Sequence, residues 1–128
     1  MKTPDRSPGL ALVEYAFGLT ICLFFITGIV DFGRAFYTYN FVANTAREGA
    51  RHASIPTYSS SDIVTYATSR SGVNGISVSV VNRGTSANAA DPAVIQASAT
   101  ITPITPFIGA ITGGPVTLTA RSTMIVEK

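Results

Sequence analysis

The chain has little charge. Only 12% of its 128 residues are charged, against roughly 25% in an average soluble domain. Nine Lys and Arg stand against seven acids and are spread along the chain, which excludes the basic stripe a nucleic-acid binder needs. Cys22 is the single cysteine, so a disulfide-stapled secreted mini-protein is excluded as well. His52 is the single histidine, which rules out a multi-histidine metal site and argues against His-dependent catalysis. No G-x-S-x-G, Walker A or C-x-x-C pattern occurs, and no N-x-S/T sequon. No enzyme activity, cofactor, metal or small-molecule substrate is expected.

What is present is unevenly placed. From Leu10 to Val30 the only charged residue is Glu14. That apolar run has the length needed to cross a hydrocarbon core of roughly 30 Å at about 1.5 Å rise per helical residue. Pro8 and Pro56 bracket a stretch free of proline, which predicts one uninterrupted helix over 10–54. Its span covers about 10–30, and an amphipathic part covers 31–54. A secretory signal peptide would have a shorter apolar core followed by a small-residue cleavage site. Beyond Asp31 and Arg34, a seam at alternating three- and four-residue spacing runs through Phe32, Ala35, Phe36, Tyr39, Val42, Ala43, Ala46, Gly49, Ala50 and Ala53. Arg34, Thr38, Asn44, Arg47, Glu48 and Arg51 fall on other faces. The small residues toward its end require a close neighbour, either the carboxy-terminal half of the chain or adjoining subunits. Gly18, Gly28 and Gly33 each cost about 1 kcal/mol of helix propensity in water, whereas small residues let helices approach closely in membranes.

Residues 55–128 carry seven charged residues and 21 Ser or Thr, and this polar composition marks a separate head. Tyr58–Ser61 predicts a loop and cap before a short helix over 62–71, ended by Gly72. Strict alternation predicts strands over 76–80, 94–102 and 116–126. The stretch from Asn82 to Pro92 reads as an exposed polar loop, and Phe107–Ile111 as a short apolar turn or helix. The expected fold is α+β, a long helix carrying a short helix and a small, three-stranded antiparallel sheet. A head of this size is marginal alone, so it is expected to lean on the amphipathic end of the long helix.

The most informative stretch is Ser7-Pro8-Gly9-Leu10-Ala11-Leu12-Val13-Glu14-Tyr15. A carboxylate one turn into a membrane helix costs several kcal/mol unless it is paired or interfacial. The positive end of the helix dipole stabilises it. A new ammonium on Leu10, created by a cut after Gly9, would stabilise it further. Gly9 followed by Glu14 resembles the type IV prepilin cleavage pattern, and Glu14-Tyr15 resembles the Flp/Tad branch of that superfamily. The blocks Val30-Asp-Phe-Gly-Arg-Ala-Phe36 and Asn44-Thr-Ala-Arg-Glu-Gly-Ala-Arg51 are similar to the TadE-like family of pseudopilins, over about residues 9 to 53. Ile104–Gly109 and Leu118–Met124 resemble that family's usual ending less specifically. Two departures stand out: Thr20 where the family often has a mid-span proline, and Pro8, rather than a basic residue, directly before Gly9.

The resemblance implies a leader at 1–9 cut between Gly9 and Leu10 by a prepilin peptidase. It also implies subunit charge pairing at Glu14 and Tyr15, and structural roles for Asp31, Phe32, Gly33, Arg34, Arg47, Glu48, Gly49 and Arg51. The implied function is that of a minor pseudopilin in assembly of a Tad/Flp pilus for surface adherence. Its partners would be the peptidase, other pilin subunits, the assembly machinery and the lipid bilayer. The alternatives are a major filament subunit and a membrane-anchored binding module that does not polymerise. Lys2, Arg6 and the initial amine precede the span, with only Arg34 close behind it. This asymmetry predicts a single pass through the cytoplasmic membrane with the head outside. On residues alone, Asp31 and Arg34 are expected to pair at the membrane surface, Arg47, Glu48 and Arg51 to form a solvated or head-contacting face, and Cys22 to act as a small hydrophobe.

Overall fold

The structure, a computed structural model, describes residues 8–84 and 91–127. Helix α1 (Pro8–Ala53) is unbroken over 46 residues, roughly 70 Å at the standard rise. Pro8 stands at its first position, where a missing N–H costs nothing because the first amides of a helix have no partner. Thr20 and Thr27 do not interrupt it. Their hydroxyls donate back to the carbonyls of Ala16 at 2.8 Å and Leu23 at 3.0 Å, the usual accommodation of Thr in an apolar helix.

The rest of the chain folds against the second half of α1. After α2 (Ser60–Ser69) come β1 (Ile76–Asn82), β2 (Ala93–Ile101), α3 (Pro106–Thr112) and β3 (Val116–Met124). The three strands form an antiparallel meander in the order β1-β2-β3, with Val78 opposite Ala97 and Ala97 opposite Ala120. The α+β architecture matches the sequence expectation. Helix α2 starts two residues early, because Ser59 caps it in a full capping box with Asp62. It ends at Ser69 with Arg70 as cap, and Gly72 takes its left-handed φ of 65° two residues beyond.

Strand β2 runs back along α1. Ala93 and Ile95 pack with Ala50, Ala53, Ile63 and Val126, while Ala97 and Ala99 pack with Val42, Ala46 and Ile76. Alanines on both sides bring helix and sheet close together, and Gly49 is the tightest point. A Cβ there would stand 3.0 Å from Ile95 Cγ2 and 3.2 Å from the Ala67 Cβ.

The expected seam is therefore half right. Val42, Ala46, Gly49, Ala50 and Ala53 are buried, but Phe32, Phe36 and Tyr39 are exposed, and Asp31, Thr38 and Thr45 are buried in their place. Thr38 was expected on an outer face. Hydrophobic periodicity favours the rings, yet a helix packed this closely on a sheet accepts only slim side chains. The rings turn outward instead, Phe32 and Phe36 stacking on each other with centroids 6.5 Å apart.

Candidate functional site

Two regions of α1 carry the chemistry, a bare shaft and a clasped one. Over 9–30 every residue except the half-buried Gly28 is exposed. Helix α1 is long and apolar enough to cross a membrane, and none of its most apolar stretch is buried inside the molecule. Leu12, Phe17, Leu19 and Phe25 all face outward, so this surface is built for a medium other than water. Glu14 and Tyr15 lie on it, and the Glu14 side chain makes no hydrogen bond or ion pair to any described residue. Gly9 and Leu10 lie in the first turn of α1, where the backbone amides lack intrahelical acceptors and the chain opens at least cost. The expected leader falls, up to Ser7, outside the described residues.

At the boundary, Asp31 does more than the surface pairing expected of it. Its side chain is only 7% exposed. Its two carboxylate oxygens accept the backbone N–H groups of Ile104 at 2.9 Å and Thr105 at 2.7 Å. These amides precede α3, whose cap residue Thr105 makes no side-chain capping bond of its own. The Ile104 N–H and then the Thr105 N–H hold the Asp31 carboxyl below its ordinary 3.8 against the opposing effect of burial, and the charge of Arg34 adds the smallest share. Arg34 lies 3.7 Å from Asp31 and donates to the Thr102 carbonyl at 3.5 Å. Asp31 and Arg34 thus fasten the head to the shaft in the turn that directly follows the apolar run. Gly33 is not required for this, since a Cβ there would meet nothing.

In the Ala-Arg-Glu-Gly-Ala-Arg block, the charges and the small residues divide. Arg47, Glu48 and Arg51 are exposed, and Arg47 donates to the side chain of Asn44 at 3.3 Å. Gly49 and Ala50 carry the head contact.

Arg83 is the residue that sequence reasoning missed. Placed in the expected polar loop, it instead turns inward and donates to the carbonyls of Ala53, Ile55 (3.0 Å), Pro56 (3.5 Å) and Tyr58 (2.7 Å). It thereby caps the carbonyl end of α1, where a cation also complements the helix dipole. Next to it, Gly84 is buried at a φ of 67°, with the Ala93 backbone so close that a side chain would collide. Of the expected exposed loop, Asn82 is exposed, Arg83, Asp91 and Pro92 are half-buried and Gly84 is buried, and positions 85–90 lie outside the described residues. The Glu127 N–H closes the same end by donating to the Ser54 carbonyl at 2.8 Å. His52 lies sandwiched between the rings of Tyr58 and Tyr66, at 3.9 and 4.0 Å. Neither contact leaves a periodic signal in the sequence.

Residues 9–51 match the family model of TadE-like protein. The match covers the shaft and both motif blocks, and stops before the head. No curated protein and no solved structure matches the chain.

Proposed function

We propose, taking the TadE-like match over residues 9–51 as the premise, that the chain is a minor pseudopilin that takes part in assembling a Tad/Flp-type pilus for surface adherence. It is a structural component, not an enzyme. The observation that carries this reading is the division of α1 into an apolar shaft exposed at every residue but the half-buried Gly28 and an upper half clasped to the head. Such a shaft is stored in a bilayer as a single-pass span with the head outside the cytoplasmic membrane. On extraction, the shafts of neighbouring subunits replace the lipid. Gly9, Gly18, Gly28 and Gly33 fit this exchange: an added Cβ at any of them meets nothing within 4 Å among the described residues, so packing within that part of the chain does not call for them.

A prepilin peptidase would cut between Gly9 and Leu10, unwinding the first turn to reach the bond. The new Leu10 ammonium of one subunit would then neutralise Glu14 of its neighbour, offsetting the several kcal/mol that a lone carboxylate costs in an apolar core. The head counts against a major-subunit role, since the filament subunits of Tad/Flp systems resemble the shaft alone. A non-polymerising binding module would need neither cleavage nor Glu14.

Mass spectrometry of the membrane-extracted protein tests the reading. An amino terminus at Leu10 supports it, and an intact Met1 in cells with an active prepilin peptidase overturns it. Glu14→Ala should leave cleavage nearly intact and impair piliation. Normal piliation in that variant removes the charge-pairing mechanism.

A further inference from the structure

The head reaches down to the level of the span. Gly28, within the last turn of the apolar run, is half-buried. It shares an apolar recess with Phe32 and Ala35 of α1 and with Ile101, Ile108 and Val116 of the head. Helix α3 therefore sits beside residues 28–35 of the shaft. The segment around it exposes large apolar side chains: Ile104 is 61% and Ile111 69% exposed, and Phe32 on the adjoining turn of α1 is 73% exposed. From Pro92 to Ala120 the sequence has no charged residue. The opposite end of the head, beside the end of α1, carries Arg83 on the Ala53 carbonyl, Asp91 on Asn82, Glu127 on Ser54, and Asp62 in the capping box with Ser59. Water-facing loops are ordinarily polar, and an apolar, uncharged rim continuous with an apolar shaft marks a surface that water does not cover. Among the described residues the one cation at this level is Arg34, which is 48% exposed. It stands where a basic side chain meets lipid phosphate while its stem stays in apolar surroundings.

We propose that the rim of the head formed by Ile104 and α3 is a second membrane-contacting element, lying in the outward-facing interface of the bilayer that α1 spans. This rests on the reading of residues 10–30 as a membrane span. In that position the rim fixes the depth and tilt of the head, with Ile104 and Ile111 in the acyl boundary and Arg34 at the phosphates.

The chain has no tryptophan, so single tryptophans report their own surroundings. The full chain would be reconstituted in phosphatidylcholine–phosphatidylglycerol vesicles, with and without bromine on the acyl chains. Four variants would be compared: Ile111→Trp, Ile104→Trp, Leu19→Trp within the span, and Val81→Trp at the far end of the head, which is itself exposed. The expected result is a blue-shifted emission from Ile111→Trp and Ile104→Trp. Brominated lipid should remove at least half as large a fraction of that emission as it removes from Leu19→Trp, and leave Val81→Trp unchanged. Quenching of Leu19→Trp with none at positions 104 and 111 overturns the proposal and leaves the span intact. Blue-shifted but unquenched emission at 104 and 111 also overturns it, since a protein surface then covers the rim. If Leu19→Trp itself is not quenched, the span fails and the proposal falls with it.

Discussion

Replacing Arg83 by Met keeps most of its aliphatic stem and removes the guanidinium that caps α1. The wild-type group donates to four carbonyls, of which the Ala53 oxygen is part-buried and those of Ile55, Pro56 and Tyr58 are exposed. A hydrogen bond to a charged donor contributes about 1.5–3 kcal/mol, and the full loss applies only where the orphaned acceptor cannot reach water. The three exposed carbonyls recover water, so the Ala53 bond dominates. With a few tenths for the cation at the helix end, the sum is about 2–3 kcal/mol. At about 1.4 kcal/mol per tenfold, that is roughly a 30- to 150-fold rise in the equilibrium for lifting the head from the shaft. Hydrogen exchange of the full chain in detergent micelles, read on peptides from β2, measures that opening. β2 is suited because Ala93 and Ile95 pack against Ala50 and Ala53. Arg83→Lys, which keeps the charge but cannot fork across several carbonyls, should fall between the two. Exchange in Arg83→Met within threefold of the parent would refute the assignment of Arg83 as the cap that holds this end closed.

The remaining expectations concern the other contacts between shaft and head. The carboxyl of Asp31 is held below 3.8 by the amides of Ile104 and Thr105 and by Arg34. Its contribution is therefore complete above pH 3.8 and disappears as pH falls through the lowered value. The amide resonances of Ile104 and Thr105 should hold steady on acidification to that point and shift below it, and Asp31→Asn should remove the transition. Asp62 is depressed by Ser59 in the same direction, so α2 should loosen in the same acid range and continue to do so in Asp31→Asn. Gly49→Leu should destabilise the head by about 2 kcal/mol or more through overpacking against Ile95 and Ala67. Gly49→Ala, where about 1 kcal/mol of helix propensity opposes a displacement of a few tenths of an ångström, should stay close to the parent in thermal unfolding.

The fold was legible where a local pattern carries it. The proline-free run predicts α1, and period-two alternation at Ile76–Val80 and Val94–Thr102 predicts β1 and β2. The loop-and-cap signal at Tyr58–Ser61 placed α2 to within two residues. The contacts that unite the two halves were not legible, because they are single hydrogen bonds between residues far apart in the chain. Asp31 meets Ile104 across 73 positions and Arg83 meets Ala53 across 30, and neither leaves a periodicity. The outward turn of Phe32, Phe36 and Tyr39 was misread for a different reason. Apolar spacing marks which residues avoid water, but backbone proximity decides which of them fit under a sheet. Of the two motif blocks, the chemistry of the first lies in Asp31 and that of the second in Gly49 and Ala50, while the charges of Arg47, Glu48 and Arg51 stay in solvent.

The two closures stand at opposite ends of one buried stripe. Asp31 holds the start of α3 at the lower end, while Arg83 and the Glu127 amide hold the end of α1 at the upper. Strand β2 runs between them along the axis of α1. A pull on the shaft therefore slides the helix lengthwise against the sheet and strains both closures and the packing between them at once. Bonds loaded together share a force that would break them one by one if the head peeled from an end. The two closures therefore oppose a lengthwise pull on the shaft more strongly than a peel from either end.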